Sequence, residues 1–312
     1  MAPAPNCENK HHESQQAFLE IAIFNASSAQ IAYTSCADRL ELCAEGSSVN
    51  GGTTPSLSTL ESVITSLQKI AQRTTISGED HITNPVKIKK RSIPIFAMIR
   101  PRGGDFVYSD EEFKVMKEQL LSLKSATYHQ TTGKKNDSQE QNLFGKVDGF
   151  VFGILTNHKL VDRERNEELV KLAAPLPCTF HRAFDEVITS FERSDISAIR
   201  QDELLPRGII DECEAVINAG FASILTSGGS GRSAVDGARH IAALTEVAKD
   251  RIEIIAGGGV RSTNVGELRR QSTHTRFFHS SAILAKSDGQ VMDVADADEI
   301  VKLKKELMAP LG

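Results

Sequence analysis

Short apolar segments alternate with amphipathic segments along almost the whole chain, and this alternation is the strongest constraint on its fold. The apolar segments recur at intervals of roughly 25–40 residues, a pattern typical of parallel strands joined by helices. We predict eight strands, at residues 18–24, 39–44, 93–100, 148–155, 177–184, 222–227, 252–257 and 276–281. Helices are predicted at residues 27–36, 56–72, 109–127, 164–173, 211–219, 233–249, 262–270 and 295–308.

Eight such units in 312 residues predict an α/β fold, a single closed (β/α)8 TIM barrel, with an open doubly wound sheet as the alternative. Residues 1–14 are polar and predict a flexible N-terminal tail, so the barrel domain covers residues 15–312. Three segments interrupt the alternation and predict polar loop insertions, near residues 73–92, 128–146 and 190–207.

Charge and composition exclude several classes of partner. The chain has 41 acidic and 36 basic residues, a net charge of −5, and no tryptophan, so no nucleic-acid partner is expected. Signal-peptide and membrane-span patterns are absent from the sequence, so no membrane partner is expected either. Five scattered cysteines without a C-x-x-C pair do not form a disulfide framework and predict a reducing, cytoplasmic setting.

Reactive side chains stand where two of the predicted strands end. The third strand is followed by Arg-Pro-Arg-Gly-Gly-Asp, and the fifth runs into Phe-His-Arg-Ala-Phe-Asp. In a barrel of parallel strands, the carboxyl ends of the strands carry the chemistry. We therefore expect a built site from these two strand ends, made by Arg100, Arg102, Asp105, His181, Arg182 and Asp185.

The alternation of side chains within strands adds inward-facing groups to this site. Residues two apart share a face of a strand, and the leucines at positions 40 and 42 suit the face that packs on helices. Glu41 and Cys43 are then predicted to point into the barrel, as is Glu20 in the first strand. His279 is the candidate from the eighth strand.

Two kinds of chemistry follow from this collection of residues. A histidine titrates near neutral pH and a carboxyl can exchange its proton, so acid–base catalysis is predicted for His181, Glu41 and Asp185. Guanidinium groups and glycine-rich turns after strands six to eight both suit a small anion. The predicted substrate or anion site consists of Arg100, Arg102, Asp105, Arg182, Ser227, Gly257, Gly258 and His279.

Several motifs in the chain resemble those of the CutC copper-homeostasis family, in the order of the family. They lie at residues 37–43, 51–56, 98–109, 148–153, 179–185, 225–228 and 257–259. The resemblance extends from about residue 18 to residue 308. It implies a single TIM barrel, a cytoplasmic location, commonly a homo-oligomer, and a role in copper tolerance or trafficking with copper as the bound ion.

The copper that this resemblance implies needs soft ligands, because Cu(I) prefers thiolates and thioethers. Family members often have Glu-x-Cys in the first strand, where this chain has Ala22 in place of the cysteine. Cys43 with His181 is the predicted metal pair, with His279 as the alternative nitrogen ligand. Two functions therefore stay open: copper homeostasis through copper binding, and a barrel enzyme of unknown reaction that acts on a small phosphorylated or carboxylated molecule.

Overall fold

A computed structural model describes residues 17–76, 92–127, 145–194, 205–284 and 293–310, and it confirms the predicted TIM barrel. Eight parallel strands close in chain order, each paired with its neighbours in sequence and β8 paired with β1. The strands are β1 Phe18–Ile23, β2 Arg39–Leu42, β3 Ile95–Met98, β4 Gly149–Phe152, β5 Cys178–Phe180, β6 Ser223–Thr226, β7 Glu253–Gly257 and β8 Phe277–Ser280.

Helices cover the outside of the barrel. They are α1 Ala26–Thr34, α2 Leu57–Ile76, α3 Asp110–Ser125, α4 Arg163–Ala173, α5 Ala183–Ser194, α6 Arg207–Asn218, α7 Ala238–Ala248, α8 Val265–Gln271 and α9 Ala297–Met308. A 3-10 turn, Ser48–Asn50, follows β2. The predicted tail at 1–14 lies outside the described residues, as do most of the predicted insertions at 73–92 and 128–146 and the middle of 190–207.

The region after the fifth strand differs from the prediction. The strand was predicted to continue to residue 184, but β5 ends at Phe180 and α5 begins three residues later. The apolar residues of α5 lie at helical spacing, and Asp185 and Glu186 in its first turn favour the positive end of the helix. The aromatic residues near the end of β5 also suit a strand, so the sequence predicted a longer strand where α5 begins. As a result, Asp185 belongs to a helix terminus and not to a strand.

The apolar residues form two separate clusters, one on each side of the sheet. The larger cluster lies between strands and helices and contains Leu40 and Leu42, as alternation predicts. The smaller cluster fills the upper bore and includes Cys43 and Met98. No helix in the described ranges is long and apolar enough to cross a bilayer.

The described cysteines do not all behave as their spacing predicts. Cys43, Cys178 and Cys213 are buried and free. Cys36 is disulfide-bonded, which the scattered spacing did not predict. Cys178 packs in the outer cluster, and Cys213 does so from α6, so neither faces the bore.

Candidate functional site

A cavity of about 400 Å³ opens at the carboxyl ends of the strands, where barrel sites form. Its wall combines side chains from the ends of β2, β3, β5 and β8 with the loops after β5, β6 and β7. The predicted site residues that line it are Glu41, Cys43, Arg100, His181, Arg182, Asp185, Gly258 and His279.

At the floor of the cavity, a column of charged side chains crosses the bore, and two of its members, Glu41 and His279, also line the cavity. His279 lies between two carboxyl groups, with its Nδ1 2.8 Å from Glu20 Oε1 and its Nε2 3.6 Å from Glu41 Oε2. Arg39 forms a close ion pair with the other oxygen of Glu20. The register of the barrel sets this contact, because Glu20 on β1 is level with both Arg39 on β2 and His279 on β8.

The two glutamates of this column have opposite electrostatics. Burial opposes ionisation of Glu20, yet Arg39 and His279 lower its pKa to about 2. Burial raises the pKa of Glu41 to about 7, and the nearby Glu20 charge adds to that shift. For His279 burial again acts against the charge, but Glu41 and Glu20 raise its pKa above the usual value. Glu41 therefore has a pKa suited to exchanging a proton near neutral pH.

Cys43 lies directly above Glu41, with its Sγ 4.0 Å from Glu41 Oε2. Burial raises the pKa of this thiol well above its usual value, and the two glutamates below it add to the effect. Gly52 is required beside it, because a Cβ there would lie 2.6 Å from Cys43 Sγ and 3.4 Å from Met98 Cε. The thiol and the terminal methyl group of Met98 thus both approach the Gly52 main chain.

Arg100 is held rigidly in the cavity wall by main-chain oxygens. Its Nη1 donates to the carbonyls of Asn50 and Gly52 at 2.6 and 3.2 Å, and its Nη2 donates to that of Gly104 at 2.8 Å. The guanidinium carbon also stacks 4.7 Å from the centre of the Phe106 ring. Its Nε is buried without a partner in the described part of the chain.

His181 is buried at the end of β5, with its ring edge against Phe106. Its Nδ1 accepts a hydrogen bond from the amide of Ala183 at 3.3 Å, so the ring proton of the neutral form is on Nε2. Burial lowers the pKa of His181 to about 3, and the Arg100 charge contributes to this shift. The imidazole is therefore a neutral donor at pH 7, which differs from the predicted proton-exchanging role.

Asp185 is the most completely bonded carboxylate of the site. One oxygen accepts from Thr226 Oγ1 and the Ser227 amide at 2.6 and 2.8 Å. The other accepts from Ser227 Oγ and Arg182 Nε, both at 2.8 Å. With four donors on it, Asp185 fixes the β5 and β6 loops to each other and positions Arg182. This geometry suits a positioning role more than the predicted catalytic one.

The loop after β7 approaches these groups closely. Gly258 has a φ of +107°, and a Cβ on it would lie 2.8 Å from Ser227 Cβ and 3.3 Å from the Arg182 guanidinium. Gly257 lies one step lower, where a Cβ would meet Leu225 and His279. Arg261 follows in the same loop and lines the cavity, donating to Ser280 Oγ at 3.1 Å. The sequence analysis missed Arg261, although it stands two residues after a glycine triplet that ends a strand.

Four predicted residues, Arg102, Asp105, Ser227 and Gly257, are not among those that line the cavity in the described chain. Arg102 turns outward to Glu112, with its Nε 2.5 Å from Oε1, and also contacts Asp105 at 3.0 Å. Glu112 forms the capping box of α3 with Ser109, so it is fixed where it can accept Arg102. These contacts hold the loop after β3 and do not reach the cavity.

The described residues contain one tight group of metal-capable side chains, and it differs from the predicted pair. Glu20, Glu41 and His279 place ligand atoms within 4.8 Å of one another. These are hard oxygen and nitrogen donors, which suit Cu(I) poorly. Cys43 lies above these three residues, and its Sγ is the sulfur atom next to them, 4.0 Å from Glu41 Oε2.

Comparison with known proteins agrees with the motifs. The profile of the CutC family matches residues 17–201 and 206–284. A human protein named copper homeostasis protein cutC homolog is 34% identical over 271 residues, which cover 87% of this chain and 75% of that protein. The Caenorhabditis elegans protein of the same name is 31% identical over 312 residues, covering 96% of this chain and 98% of that protein.

A solved structure points the same way. The crystal structure of the putative copper homeostasis protein CutC from Streptococcus agalactiae is 27% identical with a TM-score of 0.57. The match covers 85% of this chain and 98% of that one. The profile match spans most of the described barrel, from β1 to the end of β8. The chain therefore belongs to the CutC family, whose named relatives are copper homeostasis proteins.

Proposed function

We propose that the protein acts in copper homeostasis by holding Cu(I) in the upper cavity, with Cys43 as the thiolate ligand. The observation that carries the proposal is that Cys43 is the free cysteine of the described chain that lines the cavity. Met98 also lines the cavity, so a thioether is a second candidate donor for an ion that prefers sulfur. The names of the relatives support copper as the ion.

His181 is the proposed nitrogen ligand. Its ring is neutral near pH 7, as a metal ligand must be, because burial lowers its pKa to about 3. Coordination at Nδ1 requires release of the Ala183 amide. Coordination at Nε2 requires the ring proton to move to Nδ1, which releases the same amide. The Cys43 thiol must also lose its proton, and Glu41 is the group placed to accept it. Copper affinity should therefore fall as the pH is lowered.

An anaerobic competition titration with a Cu(I) chelator tests this function. Cys43→Ser should lower the Cu(I) affinity by more than about 100-fold, because loss of an outer-shell partner alone costs about 10–100-fold. Cys213→Ser is the matched control, since that thiol is equally buried but packs against helices. Equal Cu(I) affinities for the two variants would exclude the cavity as the copper site.

A further inference from the structure

Arg100 carries a buried charge that no carboxylate of the described chain balances. The residue is 5% exposed, and its Nη atoms donate to neutral main-chain carbonyls alone. A buried charge is normally paired, because removal from water without a counter-charge is unfavourable. The cavity that Arg100 lines is the place from which a counter-charge can approach.

Three side chains of the cavity wall also have polar atoms without hydrogen-bond partners in the described residues. These atoms are Arg100 Nε, His181 Nε2 and Glu41 Oε1. His181 Nε2 carries the ring proton, so the group presents two donors and one carboxyl oxygen. Buried polar groups without partners are rare in native proteins and indicate a missing ligand or water. Hydrogen bonds of this kind often close when the ligand binds.

A second unbalanced cation stands on the other side of the cavity. Arg261 donates to Ser280 Oγ and to the carbonyls of Val260 and Ile283, all of them neutral. It follows β7, whereas Arg100 follows β3, and these strands are four positions apart in the closed eight-stranded barrel. The two guanidinium groups therefore face the cavity from opposite walls.

The other charges at the cavity cancel locally. Arg182 is paired with Asp185 at 2.8 Å, and Glu186 is paired with Lys159 at 2.7 Å. His279 lies between two carboxyl groups, 2.8 Å from Glu20 and 3.6 Å from Glu41. Among the described charges around the cavity, Arg100 and Arg261 thus remain as a separated, uncompensated pair. A ligand that carries two separated anionic groups can meet one guanidinium group at each wall.

We propose that the cavity binds a small organic dianion whose two anionic groups are separated by a carbon bearing a hydroxyl group. One anionic group meets Arg100 and the Nε2–H of His181, and the other meets Arg261. The hydroxyl group between them faces Glu41 Oε1. A hydroxydicarboxylate and a phosphorylated hydroxycarboxylate share this chemistry, and a cavity of about 400 Å³ accommodates either. Binding of this dianion needs no metal, and it uses His181 and Glu41, which the proposed Cu(I) site also uses.

Calorimetric titration of the metal-free protein at fixed ionic strength tests the proposal. The probes with two anionic groups are L-malate and 3-phosphoglycerate, which carry a hydroxyl group, and succinate, which lacks one. Lactate and inorganic phosphate are the probes with a single anionic group. At least one hydroxylated dianion should bind about tenfold or more tighter than either single anion. Malate should bind better than succinate if the hydroxyl contact forms. The better of malate and 3-phosphoglycerate identifies the second anionic group.

Variants test whether each wall of the cavity binds its own anionic group. Arg261→Gln should weaken the dianion at least about tenfold and leave lactate unchanged, because it removes one wall's charge. Arg207→Gln is the control, since that arginine lies on α6 and pairs with Asp211 at the surface. Equal affinity for dianions and single anions, no binding of any probe, or equal effects of the two variants would overturn the proposal. Arg261 donates to neutral groups, so this test does not depend on removing the buried Arg100. None of these outcomes bears on Cu(I) binding, which has its own titration.

Discussion

The bore of this barrel has two levels that differ in whether their charged groups are paired. At the lower level, Glu20 is ion-paired to Arg39 and bonded to His279, and its pKa falls to about 2. At the upper level, Glu41 has an unpartnered oxygen and a pKa near 7, and Arg100 has no acid beside it. Both glutamates are 4% exposed. The comparison teaches that partners, and not burial, decide whether a carboxyl group is ionised inside a barrel.

The two levels also suggest a division of labour. Paired charges at the lower level hold three neighbouring strands, β8, β1 and β2, in register. Unpaired groups at the upper level weaken the isolated fold and are retained where a ligand completes them. One atom of the lower level is an exception to this division between paired and unpaired groups, because Arg39 Nη2 is buried without a partner in the described chain. The lower level is therefore balanced in charge and incomplete in hydrogen bonds.

The largest expected effect comes from breaking the lower level. Arg39→Met removes the counter-charge of Glu20 and leaves a buried carboxylate beside His279 alone. Removal of one partner of a buried ion pair costs about 3–5 kcal/mol. Urea unfolding of the variant at pH 7 measures this loss. The double variant Glu20→Gln/Arg39→Met should recover part of it, and a loss below about 1 kcal/mol in the single variant would refute the lower level as a stabilising pair.

Much of this arrangement follows from sequence, and the rest fails for identifiable reasons. Alternation placed Glu41 and Cys43 in the bore, because a strand allows two directions only. It could not place Arg102, whose long side chain follows a strand end and turns to Glu112. Alternation extended to Cys43, one residue beyond the end of β2, but not to Arg102, which lies four residues beyond the end of β3. Arg261 lies in a loop, so the alternation of side chains could not predict its position for the same reason.

A second gap concerns pKa values. The sequence indicated that carboxyl and imidazole groups meet in the bore, but their partners depend on strand register. In the strand register, Glu20 lies level with Arg39 and Glu41 lies one level higher. Glu20 is therefore the glutamate that contacts Arg39. The neutral state of His181 likewise depends on full burial and on the nearby Arg100 charge. These are properties of the closed barrel, and no local motif encodes them.

The second-largest expected effect is a dependence of folding stability on pH, which arises from Glu41 at the upper level. The pKa of Glu41 is raised from 4.5 to about 7, so the folded state binds this proton more tightly than the unfolded chain. The contribution to stability is complete below pH 4.5 and is lost as the pH rises through 7. At 1.36 kcal/mol per pKa unit, the loss is about 3 kcal/mol. The raised pKa of His279 acts in the same direction, since its charge also stabilises the fold at lower pH.

Glu41→Gln removes this dependence. The variant and the wild type should be about equally stable at pH 4.5, and the variant should be more stable at pH 8. Urea unfolding at several pH values measures the difference. Glu20 predicts the reverse slope, because its stabilisation is present above pH 4.5 and lost as the pH falls through 2. Parallel stability curves for the wild type and Glu41→Gln between pH 4.5 and 8 would contradict the assignment of Glu41 as an unpaired carboxyl.

The smallest of the three effects compares Asp185 with Glu41 inside the upper level itself. Asp185→Asn turns one acceptor into a donor that faces Ser227 Oγ and Arg182 Nε, so at least one of four hydrogen bonds is lost. Leaving a buried group unsatisfied costs about 1–3 kcal/mol, and we expect about 2 kcal/mol because the serine hydroxyl can rotate to accept. Glu41→Gln at pH 5 is the matched control, since it replaces a protonated carboxyl that has an unpartnered oxygen. That control should lie within about 0.5 kcal/mol of the wild type in urea unfolding. If both substitutions cost the same, the two carboxyl groups are equally engaged, and the division between a bonded β5–β6 side and an unfilled β2–β3 side of the cavity does not hold.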